Sequence, residues 1–77
     1  METYIVEVDC KDHKGLFASI TRIVEGHDLN IIAAWEYVHK IDNMFFMRAD
    51  AEGKTDRSRL LNDLMQILPT DAMVKVS

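Results

Sequence analysis

At 77 residues, 48% of them hydrophobic and 29% charged, the chain has the make-up of one small globular domain spanning 1–77. Chains this short bury only about 60% of the surface they expose when unfolded, so association with another copy is expected. A single cysteine excludes an internal disulfide, and a net charge of −4 argues against nucleic acid or an anionic membrane as partner.

The N-terminal ETYIVEVD has neither a basic start nor a long apolar run, so no signal peptide or membrane span is read there. With the lone thiol, this leads to a soluble cytoplasmic protein as the expectation. Residues 3–9 alternate, with Tyr4, Val6 and Val8 on one parity and Glu7 and Asp9 on the other, as a half-buried strand does. After the turn CKDHKGL, Leu16, Ile20, Ile23 and His27 recur at spacings of three and four. Phe17 and Val24 widen that stripe, so residues 15–27 read as an amphipathic helix stopped by Gly26-His27-Asp28.

LNIIAAWEYVH, residues 29–39, is rich in β-branched and aromatic side chains and reads as a second strand. A short turn at 40–43 leads into MFFMRADA, a third strand and the other half of a hairpin. Alternation there puts Phe45, Met47 and Ala49 toward a core and Phe46 and Arg48 on an open face. Gly53-Lys54 ends that run, and Thr55 or Asp56 caps a helix carrying Leu60, Leu61, Leu64, Ile67 and Leu68, which Pro69 stops. MVKV closes the chain as a short strand. The order βαββαβ predicts an α+β, ferredoxin-like sandwich. Its antiparallel four-stranded sheet has the order 4-1-3-2, with both helices on one face.

In that topology the second strand lies at a sheet edge, yet both of its parities are apolar. Ile31, Ala33, Trp35 and Tyr37 share one, and Ile32, Ala34 and Val38 the other, with Glu36 the sole charge. An apolar edge without lysine or proline invites pairing with another chain. The expectation is a homodimer joined through residues 31–35 into one eight-stranded sheet, which a lysine at Ile32 or Ala34 splits. Coverage of the edge by neighbouring loops is the alternative.

The charged turn is compatible with few chemistries. A phosphate loop needs more glycines than Gly15 alone. A metal site needs more than Cys10, Asp12 and His13, since His27 and His39 fall on other elements. Cys10 closes a strand and reads as a small buried group, not a nucleophile. An RNA-recognition module would need a basic, glycine-flanked aromatic motif that NMFFMRAD lacks. No enzyme activity, cofactor or metal is therefore expected. Two readings stay open on the residues alone. Gly15 and the helix N-terminus receive a small zwitterion such as an amino acid, or Asp12 caps the helix and the remaining charges are solvated.

DHKGL followed by an amphipathic helix, and HDLNII opening the second strand, resemble the ACT domain family of small regulatory βαββαβ modules. CKDHKGL, EYV, FFMR with Glu52-Gly53 after it, and LLNDLMQILP look more narrowly like the N-terminal ACT domain of formyltetrahydrofolate deformylases. The likeness covers about residues 6–76. It implies an amino-acid effector, glycine or methionine first, bound at a homodimer seam in one-carbon metabolism and purine biosynthesis. Its binding residues are then Asp12, His13, Lys14, Gly15, Leu16, Asn30 and Ile31, the last two contributed by the partner. The interface would be Ile31, Ile32, Ala33, Ala34 and Trp35. Lys11 and His13 depart from the family turn, and Ala33, Ala34 and Trp35 replace positions often polar there, with Trp35 placed to reshape the site. The formyl-hydrolysing domain lies outside these residues and would be fused or separate. A purely structural dimerisation module is the alternative.

Overall fold

Six elements follow one another in the computed structural model, which describes residues 2–77. They are β1 (Glu2–Lys11), α1 (Leu16–Gly26), β2 (Leu29–His39), β3 (Met44–Gly53), α2 (Arg57–Ile67) and β4 (Met73–Val76). The sheet runs β2-β3-β1-β4 and is antiparallel throughout. This is the expected ferredoxin-like order. Among the described residues, no helix is long and apolar enough to cross a membrane.

Alternation along the central strands builds the core. Tyr4, Val6, Val8 and Cys10 of β1 and Phe45, Met47, Ala49 and Ala51 of β3 are all buried against the helices. Leu16, Ile20 and Val24 of α1, and Leu60 and Leu64 of α2, close over them at helical spacing. The two outer positions of the expected stripes are not in the core. Phe17 is 37% exposed and Ile67 40%, because each lies to the side of its helix's buried line.

Several boundaries shift. β1 extends through Cys10 and Lys11, since both keep pairing with Phe45 and Met44. Asp56 is the cap of α2, accepting hydrogen bonds from the Ser58 and Arg59 backbone N–H groups. Gly53 belongs to β3, with φ +145, and faces the start of β2 closely. A Cβ placed on it would lie 2.8 Å from the Asp28 carbonyl oxygen.

The largest departure is in β2. Its pairing with β3 slips at Ile32, where Ile31 opposes Ala51 and Ala33 opposes Asp50. This β-bulge reverses the parity of everything after it. Ile31 therefore packs on the core together with Ala34 and Val38, while Trp35 and Tyr37 face the opposite side. Strict alternation groups Ile31 with Trp35, and the extra residue is the reason that grouping fails. It also removes Ala34 as a surface position for a lysine, since that residue is half-buried against the core.

Candidate functional site

The turn between β1 and α1 is built on backbone. Gly15 is the N-cap of α1 in the left-handed region (φ 89, ψ 2), and no side chain caps the helix. Asp12 is not the cap. Its N–H instead donates to the Asn43 carbonyl at 2.8 Å, and Asn43 Nδ2 donates back to the Asp12 carbonyl. Asn43 takes φ 55 to make this contact. Lys11 joins the same corner, its Nζ donating to the Asp42 carbonyl and its N–H to the Asp71 carboxylate. The β1–α1 turn is thus tied to the β2–β3 hairpin and to the segment before β4.

That anchoring fixes the base and leaves the tip open. His13, Lys14 and Gly15 are exposed, with His13 Nδ1 3.1 Å from the Lys14 carbonyl. Leu16 is buried and plugs the core below. Apart from Gly15 and its two chain neighbours, no residue comes within 4 Å of the point where a Gly15 Cβ would stand. Uncapped first-turn N–H groups beside open space are an anion-receptive arrangement. Cys10 is fully buried, and desolvation, followed by the carboxylates of Asp71, Asp9 and Asp12, pushes its thiol pKa up. A thiol held protonated in this way is a packing group, as its position at the strand end suggested.

Asn30 and Ile31 lie elsewhere. Asn30 pairs with Glu52 and Ile31 with Ala51, next to Thr3 and Tyr4 at the beginning of β1. The turn follows the far end of that strand, about 25 Å away at roughly 3.3 Å per residue from Thr3 or Tyr4 to Lys11. One protomer therefore does not bring the two halves of the expected site together. Trp35 is also remote from the turn, standing on the open face with the Arg48 guanidinium 5.6 Å from its ring centroid.

One polar cluster escaped the sequence reading. His27, just after α1, places Nε2 2.7 Å from the Asp63 carboxylate and Nδ1 3.3 Å from Thr55 Oγ1. It ties the end of α1 to α2 and to the loop before it. Only the periodic position of His27 hinted at an inward direction, and nothing local indicated Asp63.

Comparison with known proteins agrees with this architecture. The model of the ACT domain matches residues 4–69. The formyltetrahydrofolate deformylase of Haemophilus influenzae is 42% identical over 71 residues, covering 92% of this chain and 26% of the relative. That of Escherichia coli K12 is 41% identical over 69 residues, covering 90% and 25%. The chain thus spans about a quarter of the length of the curated relatives it matches and includes no deformylase catalytic domain. Among solved structures, a formyltetrahydrofolate deformylase from Pseudomonas putida KT2440 superposes with TM-score 0.85 at 15% identity, over 99% of this chain and 28% of its own. An ACT domain protein from Streptococcus pneumoniae gives 0.77 at 24% identity, over 97% and 86%. The likeness to these structures is one of fold. With the family's model covering most of the sequence and the βαββαβ sheet order observed, the chain belongs to the ACT domain family, and its sequence is related to formyltetrahydrofolate deformylase.

Proposed function

We propose that this domain binds a small amino acid at the β1–α1 turn and thereby regulates formyltetrahydrofolate deformylase activity carried by a longer chain or a separate one. The observation that carries the reading is the uncapped N-terminus of α1 behind an exposed, left-handed Gly15. A carboxylate fits the free N–H groups, while Asp12 and the turn carbonyls are at hand for an ammonium.

The second half of the site comes from a second copy. Between the bulge and the hairpin, residues 33–38 of β2 run in regular pairing with β3 and leave their other edge free. Antiparallel pairing of this stretch with itself sets Asn30 of the second copy near Ile41, at the end of the sheet that carries the turn. The two halves that one protomer keeps apart then meet. Ile32, 52% exposed, and Ile41, 91% exposed, are apolar side chains that such pairing covers. Effector binding and association are in this way linked.

Glycine and methionine are the first effectors to test, by NMR titration of the labelled dimer. Saturable shifts at residues 11–16 and at Asn30 and Ile31 are expected. Gly15→Val forces a β-branched residue to φ 89 and is expected to abolish those shifts while leaving the dimer mass unchanged. No response to any amino acid, in a confirmed dimer, would turn the reading to a purely structural dimerisation module.

The interface has its own test. Ile32→Lys places a charge on the exposed bulge, outside the core, and is expected to yield a folded monomer by sedimentation at concentrations where the parent is a dimer. An unchanged mass would eliminate the β2 edge as the seam.

A further inference from the structure

The face of the sheet turned away from the helices carries a groove of about 600 Å³, within the range of small-ligand sites. The strand registers arrange its side chains in two rows. One runs Tyr37, Phe46, Asp9, Met73 from β2 to β4; the other runs Trp35, Arg48, Glu7, Lys75. Aromatic groups thus stand on β2 and β3, and two carboxylates on β1 beside them.

The aromatic half is an open stacking surface. Trp35 is 55% exposed, Tyr37 59% and Phe46 40%, with the Tyr37 and Phe46 ring centroids 6.2 Å apart and tilted by 30°. Arg48 is engaged twice, by Asp50 at 3.1 Å and by the Trp35 ring. Glu7 and Asp9 form no ion pair among the described residues, so their oxygens remain available as acceptors. Stacking rings next to unpaired carboxylates match a planar heterocycle whose edge presents adjacent N–H donors. The same carboxylates oppose a phosphodiester backbone, because Glu7, Asp9 and Asp50 lie where a polynucleotide would need a basic track.

We propose that this groove is a second ligand site, separate from the β1–α1 turn. It takes a free bicyclic heterocycle of the 2-amino-4-oxo type by stacking on Phe46, Tyr37 and Trp35 and by donation of its N–H edge to Asp9 and Glu7. Guanine nucleosides and pterins share this chemistry. An adenine base presents a ring acceptor at the corresponding edge and is disfavoured there.

The test is a heteronuclear NMR titration of the 77-residue chain with guanosine, with pterin and with adenosine. Trp35 is the only tryptophan, so its indole N–H is a unique reporter. Saturable shifts of that signal and of the Phe46 and Arg48 amides are expected with guanosine or pterin, the tighter of the two identifying the source. Adenosine is expected to bind roughly tenfold more weakly or worse, and the double variant Glu7→Gln/Asp9→Asn to lose at least about tenfold toward the 2-amino-4-oxo probes. Both substitutions lie on the open face, so circular dichroism and the adenosine arm show that the fold persists. Absence of saturable shifts, equal binding of adenosine, or indifference to the double variant would each overturn the proposal. So would shifts confined to residues 11–16, which report on the other site.

Discussion

Gly53→Ala is expected to lower the stability of this domain by about 3 kcal/mol, more than any other glycine substitution in it. Two effects add. At φ +145 an L side chain is strained whatever the space around it, and here there is none. The added methyl would sit 2.8 Å from the Asp28 carbonyl oxygen and 3.0 Å from Leu29 Cδ2, and the nearer atom is backbone. Relief would have to come from the corner where α1 turns into β2, which Asp28 already makes at φ 65. Domains of this length have roughly 4–12 kcal/mol in total, so the loss is a large fraction of it. With a urea m-value of about 1 kcal/mol/M, the unfolding midpoint should fall by roughly 3 M. Gly26→Ala is the control. No atom crowds that position and it ends a helix, so a change within about 1 kcal/mol is expected. Equal effects at the two glycines would refute the close-approach account.

Leu64→Ala is expected to cost about 3 kcal/mol by the same measurement. Leu64 is completely buried in α2 and belongs to the core cluster that α1 and the sheet share. Its truncation removes transfer free energy and leaves a void that two helices and a sheet cannot close fully. The next residue, Met65, is 58% exposed, and Met65→Ala should stay within about 0.5 kcal/mol. A Leu64 variant as stable as the Met65 variant would mean that α2 does not seat on the sheet as described.

The fold was legible in the sequence because its strongest signals are local. Leu60, Leu64 and Leu68 recur every fourth residue, and Tyr4, Val6 and Val8 every second, so element type and inward face follow from periodicity. β2 defeated the same reasoning. Its residues are apolar on both parities, which leaves no contrast from which to detect a slipped register, and the bulge at Ile32 became visible only against β3. Gly53 gave a similar lesson. It looked like a break in the chain, whereas its role is set by a backbone that approaches from 24 residues earlier in sequence, at Leu29.

The candidate site divides along the same line. The turn at residues 11–16 was recognisable from composition, but its support was not. Asn43 and Asp71 reach it from two other connections, and no spacing rule links them to Asp12 or Lys11. Asn30 and Ile31 were joined to the turn through the family resemblance. Their position at the other end of the sheet follows from the hairpin register, which makes a second copy a requirement of that reading.

The bulge has a consequence for how chains of this kind vary in length. Remove Ile32, and Ile31 is followed by Ala33, Ala34 and Trp35 in unbroken alternation, each keeping the face it occupies now. In most strands a one-residue deletion inverts everything downstream, but here it would only straighten the edge. A gap at this point between two related sequences therefore marks the same sheet with and without one kink, and the residues on either side of it remain equivalent in space.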